Sequence, residues 1–207
     1  VKRYCIWRLY RARRTYGHHD DSSCEDQWQL EVYLYALGLM KKHAWRSVID
    51  IGCGSAYKLL TYLGDYETLG TELPGNVALL KERYPDRKWA VSDFSRRDLA
   101  PVDLIICSDV IEHLVDPDGL LEFVRYVPFK CMILSTPDRH LFYRPWHRGF
   151  WGPPKNEAHQ REWTFREFNR YISMHFRVLD HRITNLRQAT QMIVCGPGMS
   201  GGESKPG

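Results

Sequence analysis

One short stretch decides most of what this chain can become. An apolar run over 47–51 ends in Asp50-Ile51-Gly52-Cys53-Gly54 and passes directly into a helix-capable segment over 55–63. Strand, glycine turn and helix in immediate succession form a βα unit, whose turn aims helix N-terminal N–H groups at a ligand. The rest of the chain repeats that alternation. Strands are predicted over 68–72, 89–91, 104–107 and 131–134, with helices over 77–84 and 117–126 between them. An amphipathic helix over 26–43 precedes the unit, with Trp28, Val32, Tyr35 and Leu39 at helical spacing. Short strands alternating with helices build a parallel sheet covered on both faces. After a helix over 164–173, strands over 176–183 and 190–195 lie too close in sequence for a crossover, so they are predicted to pair as an antiparallel hairpin at the sheet edge. The expected fold is α/β: a seven-stranded, mostly parallel sheet with helices on both faces and an antiparallel terminal hairpin.

The 207 residues suit one such domain, assigned to 26–195, with a basic N-terminal arm over 1–25 and a flexible glycine-rich tail over 196–207. The formal net charge of +4 invites a nucleic-acid partner, but it is unevenly spread. Residues 1–19 hold Lys2, Arg3, Arg8, Arg11, Arg13 and Arg14 and no acid; without these six, 23 basic residues face 25 acidic ones. The basicity belongs to the arm, and the body is slightly acidic. Six dispersed cysteines without a C-x-x-C pair read as small core residues of a reducing compartment, so a cytoplasmic location is expected. No apolar run approaches the ~18 residues of a membrane span, and the first twenty residues have no secretory pattern.

The flanks of the glycine turn narrow its ligand. A dinucleotide fingerprint needs a third glycine where this chain has Tyr57, so NAD is disfavoured. Glu72 closes the second strand, where one carboxylate can accept hydrogen bonds from both hydroxyls of a ribose. The third strand ends in Ser92-Asp93-Phe94, a carboxylate for an exocyclic amine beside a ring for purine stacking. Each feature alone reads more readily as a turn glycine or a surface acid; after consecutive strands they favour a nucleoside-containing ligand.

Val48-Ile49-Asp50-Ile51-Gly52-Cys53-Gly54-Ser55, Glu72, Ser92-Asp93-Phe94 and Asp109-Val110-Ile111-Glu112-His113-Leu114 together resemble the class I S-adenosylmethionine-dependent methyltransferases, with their Rossmann-like sheet, over about 26–195. The resemblance implies that Asp50, Gly52, Cys53 and Gly54 form the cofactor turn, with the glycines near the methionine part. It implies that Glu72 holds the ribose, Asp93 and Phe94 frame the adenine, and Asp109 lies near the methionine end, with S-adenosylhomocysteine as product. Ala56 departs from the family, which often has a third glycine there, and is expected to keep a negative φ. A catalytically silent, methyltransferase-like binding protein is the non-enzymatic alternative, although such a scaffold would not need Asp50, Glu72 and Asp93.

Methyl transfer from a sulfonium is an in-line displacement, so a hydroxyl acceptor needs alignment and a route for its proton. His113 is the leading base candidate, with His159 second. The same histidines would equally serve helix packing, as Thr164 and Glu167 would serve a capping box ahead of the late helix. The irregular stretch 135–156, with four prolines, two tryptophans and three arginines, reads as a lid or acceptor-binding segment. O-methylation of a small molecule or saccharide is the first reading. The second comes from resemblance: Asp109, Glu112, His113 and the distant His159 are similar to the metal-binding set of the small-RNA 3′-terminal 2′-O-methyltransferases, which implies Mg²⁺ or Mn²⁺ and an RNA acceptor. No membrane partner is expected, and the sequence does not address oligomeric state.

Overall fold

A computed structural model describes residues 3–14, 28–95 and 99–198; Lys2, Cys24, positions 15–27 and the tail from 199 to 207 lie outside the described residues. Helix α1 (Leu30–His43) leads into strand β1 (Ser47–Ile51), and β1 into α2 (Tyr57–Leu63). There follow β2 (Glu67–Glu72), α3 (Pro74–Arg83), β3 (Lys88–Val91), β4 (Val102–Ser108), α4 (Pro117–Tyr126) and β5 (Phe129–Pro137). A short α5 (Arg139–Phe142), then α6 (Phe165–Ser173), β6 (Arg177–Asn185) and β7 (Thr190–Gly196) complete the chain. Among the described residues the sheet has seven strands, in the order β3-β2-β1-β4-β5-β7-β6. β1 pairs in parallel with β2 and β4, so Ile49 sits level with Leu69 and Ile105. β7 alone runs against the others, inserted between β5 and β6.

Both faces of the inner strands are buried, and successive side chains serve opposite layers, as the period of a strand requires. From β4, Ile105 and Cys107 meet Leu120, Leu121 and Val124 of α4 and Phe168 and Ile172 of α6. Leu104 and Ile106 meet Val32, Ala36 and Met40 of α1 and Leu59 and Leu63 of α2 on the other side. Cys53, Cys107, Cys131 and Cys195 are buried thiols and Cys5 a half-buried one. Among the described residues no helix is long and apolar enough to cross a membrane.

Local signals place several boundaries. Asp116 caps α4 through the Asp118 amide, 3.2 Å, with Pro117 in the first turn. The capping box of α6 forms in both directions: the Glu167 amide donates to Thr164 Oγ1 at 3.4 Å, and the Thr164 amide to Glu167 Oε2 at 2.9 Å. α3 begins at Pro74, three residues before the predicted start, because proline is tolerated where no intrahelical N–H is needed. The stretch 135–156 is less irregular than expected: its first three residues extend β5 against Met192, Gln191 and Thr190 of β7, and α5 and a 3-10 turn over Arg148–Trp151 follow. Residues 3–14 are held against the body, with Tyr4 and Ile6 in its core.

The expectation for Ala56 is overturned. It precedes α2 at φ 60°, ψ 9°, the left-handed region, so α2 starts at Tyr57 and not at Ser55. A Cβ there costs about 1–2 kcal/mol, and glycine's greater freedom in the unfolded chain offsets part of any gain. Ala56→Gly is therefore expected to stabilise the fold by about 0.5–1 kcal/mol, read as a higher urea midpoint at unchanged slope. An equal or lower midpoint would contradict the left-handed assignment.

Candidate active site

A cavity of about 980 Å³ opens along the C-terminal ends of the parallel strands, where open α/β sheets bind ligands. Gly52 and Cys53 line it. Gly52 adopts φ +73°, and a Cβ there would come within 2.4 Å of Val110 Cγ2, so both backbone conformation and space demand glycine. The turn is tied to β2: the Gly52 and Cys53 amides donate to the Thr71 carbonyl at 2.8 and 3.2 Å. The Gly54 amide donates to Glu72 Oε1 at 3.1 Å.

Glu72 is buried at the cavity wall and fixed on both oxygens, Oε2 accepting the Leu73 amide at 2.6 Å and Asn76 Nδ2 at 3.4 Å. Asp50 lies beneath the turn, fully buried, and its Oδ2 accepts the Tyr33 hydroxyl at 2.9 Å; Tyr33 lines the cavity and Asp50 does not. After β3, Ser92 and half-buried Phe94 line the cavity, whereas Asp93 is exposed and its Oδ1 accepts the Ser95 amide at 2.9 Å.

The end of β4 carries the second group. Asp109, at φ 52°, accepts the Ser135 hydroxyl at 2.5 Å, and Ser135 meets Ser108 Oγ at 2.9 Å. Glu112 is fully buried in the 3-10 turn Ile111–His113. Its Oε2 accepts Thr136 Oγ1 at 3.0 Å, while Oε1 is buried with no hydrogen-bond partner. Burial raises the Asp109 carboxyl above its ordinary range; burial, with the neighbouring Asp109 charge, pushes Glu112 higher still.

His113 Nδ1 faces the Ala158 carbonyl at 3.1 Å, and His159 Nδ1 faces Glu162 Oε1 at 2.8 Å. Oxygen acceptors at both Nδ1 atoms select the tautomer with its lone pair on Nε2; on His159 that nitrogen faces Asn156 Nδ2 at 3.0 Å. The two rings stand 4.9 Å apart, nearly perpendicular at 85°. Ligand-type atoms of Glu112, His113 and His159 all lie within 4.8 Å of one another. Asp109 is not part of that trio.

This donor set fits a divalent cation. It has one carboxylate oxygen without a partner in a buried site, and two imidazoles whose far nitrogens are oriented by a carboxylate and a carbonyl, the usual outer arrangement of metal-bound histidine. The sequence reading missed other cavity residues: Tyr33 from α1, Lys58 from α2, and Phe142, Tyr143, Lys155 and Asn156 from the segment after β5. The helical stripe containing Val32 and Tyr35 was visible, but it did not reveal which member would face the cavity.

Residues 49–127 match the family profile of a methyltransferase domain. No curated protein matches the chain. Among solved structures, the methyltransferase domain of bacterial CtHen1 is similar with TM-score 0.59 at 23% identity, over 81% of this chain and 97% of that one. The small RNA methyltransferase HEN1 is similar with TM-score 0.60 at 21% identity, over 92% of this chain but 28% of its own length. Magnesium protoporphyrin IX methyltransferase from Synechocystis PCC 6803, solved with bound SAH, gives TM-score 0.62 at 13% identity over 89% and 90% of the two chains. Identities this low speak for the fold, which is the class I, Rossmann-like methyltransferase fold. Within that fold, residues 49–127 carry the methyltransferase-domain match.

Gly52→Ala is expected to abolish most of the thermal shift produced by S-adenosylhomocysteine, because the added methyl meets Val110 and displaces the turn. Adding Val110→Ala should recover part of that shift by relieving the contact, though not the positive φ. A single variant that keeps the full shift would show that the turn does not contact the cofactor.

Proposed function

We propose that the protein is a divalent-metal-assisted O-methyltransferase whose acceptor is a ribose hydroxyl at the 3′ end of an RNA strand. The carrying observation is the trio Glu112, His113 and His159, with the partnerless buried oxygen of Glu112. An acceptor that depends on such a site has at least one oxygen able to join a metal, and a terminal ribose has two adjacent ones. The segment after β5 supports RNA over the small-molecule or saccharide acceptor that came first from sequence. From 140 to 156 it holds the exposed cations Arg144, Arg148 and Lys155 and no acid, with Trp146 82% exposed and Phe142 and Lys155 at the cavity. Cations interleaved with open aromatic faces suit phosphates and unstacked bases.

In this reading Gly52, Cys53 and Gly54 bring their backbone close to the methionine part of the cofactor. Glu72, already anchored by backbone amides, takes the ribose hydroxyls. Ser92 and Phe94 border the adenine, Asp93 shapes the turn that carries them, and Asp50 acts from below by fixing Tyr33. Asp109 stands near the methionine end, oriented by Ser135. Glu112 would hold the ion through Oε1, and His113 and His159 through Nε2. The chemistry a bound divalent ion supplies there is Lewis-acid polarisation of the acceptor oxygen. His113 is then a ligand, not the general base. One carboxylate with two imidazoles favours Mn²⁺ over Mg²⁺.

Labelled cofactor offered to short RNA, to the same RNA ending in a 2′-deoxynucleotide, and to sugar and phenol panels tests the proposal. Transfer is expected only to RNA with both terminal hydroxyls, lost with chelator and restored by Mn²⁺. Chelator-insensitive transfer to a sugar or phenol would overturn it. Glu72→Ala is expected to weaken S-adenosylhomocysteine binding by about 1.5–3 kcal/mol, as for loss of a hydrogen bond to a charged group. Glu112→Gln should leave that binding intact while abolishing Mn²⁺ binding and transfer; loss of both would point to a structural role for Glu112.

A further inference from the structure

We infer that the N-terminal segment is a built part of the metal site, with Tyr10 a positioning residue that sets His159 through Glu162; this rests on the metal-site reading above. His159 lies in a stretch, residues 152–162, with no helix or strand of its own, so its placement must come from neighbours. Those neighbours are identifiable. The Glu162 amide donates to Tyr10 Oη at 2.9 Å, and its carbonyl accepts Arg139 Nη1 at 2.8 Å. The Arg139 guanidinium lies 4.2 Å over the Tyr10 ring, is fully buried, and spends its other arm on Glu167 at 2.8 Å. Tyr10 and Arg139 thus stack on each other and grip the Glu162 residue by both backbone groups, while its Oε1 faces His159 Nδ1 at 2.8 Å. Two residues earlier the grip repeats. The Arg13 amide donates to the Gln160 carbonyl at 2.7 Å, and the Gln160 amide donates to the Glu112 carbonyl at 2.8 Å. The stretch bearing one ligand is therefore clamped between the N-terminal segment and the backbone of another ligand.

Tyr10→Phe removes only the oxygen that accepts the Glu162 amide and keeps the ring over Arg139. In the full chain it is expected to weaken Mn²⁺ binding, measured by electron paramagnetic resonance, by about 10-fold, the low end for groups that support ligands. S-adenosylhomocysteine affinity should stay within about twofold of wild type, because the glycine turn lies elsewhere. Leu79→Ala, at an exposed position of α3, should leave Mn²⁺ affinity unchanged. A second readout needs no variant: by reciprocity, Mn²⁺ should slow amide hydrogen exchange in the peptide covering residues 4–13 as well as in 158–163. Wild-type Mn²⁺ affinity in Tyr10→Phe, parallel loss of both ligands, or exchange protection that omits residues 4–13 would overturn the inference. Mn²⁺ binding in wild type that Glu112→Gln leaves intact, or no binding at all, would overturn the metal-site reading itself.

Discussion

The level C-terminal rim of β1, β2 and β4 is the constraint from which the site follows. Parallel pairing sets Ile51 beside Thr71 and Asp50 beside Ile106, so the chain leaves three neighbouring strands at nearly one height. The exits of β1 and β4, and that of neighbouring β3, turn sharply out of a crowded edge with left-handed residues: Gly52, Gly54 and Ala56 after β1, Phe94 after β3 and Asp109 after β4, whereas β2 runs through extended Leu73 into α3. For non-glycine residues that conformation is unfavourable, and it persists where the surrounding structure over-determines it. Here a sheet buried on both faces does so, and the cavity is the space those turns leave.

The cavity has two ends with different physics. Around the glycine turn, backbone amides and Glu72 satisfy one another, leaving a rigid, polar wall. Around Glu112, satisfaction is incomplete: a buried carboxylate oxygen has no partner, and its proton affinity is raised by burial beside Asp109. Incomplete pairing in a low-dielectric setting is costly unless a ligand completes it. That contrast separates the end suited to a fixed organic cofactor from the end suited to a cation.

Legibility in the sequence followed the range of the interaction. The βα unit, the terminal hairpin and the Thr164–Glu167 box were all readable, because each depends on residues close in sequence or on a repeating period; of the two acids after the strands, Glu72 lines the cavity and Asp93 does not. Ala56 was misread because its left-handed turn is imposed by the sheet edge and not by its own side chain. Tyr33 was missed because its role depends on Asp50, seventeen residues away. The trio could be named only through resemblance, since His159 reaches Glu112 through tertiary packing alone. The contribution of Tyr10 lay out of reach altogether: a basic arm gave no sign that its aromatic residues hold the loop over Arg139.

The insertion of β7 between β5 and β6 also bears on assembly. β5 carries Ser135 and Thr136, which orient Asp109 and Glu112, and its outer edge pairs only with β7. Gln191 of β7 further donates to the carbonyls of Pro137 and Trp163, closing the gap between β5 and the start of α6. As the chain emerges from the ribosome, β1 to β5 can stack in order, but an unpaired edge beside Asp109 and Glu112 stays open until residues 190–196 arrive. Exposed edges of this kind invite pairing with other chains. The hairpin therefore acts as a seal applied late in synthesis.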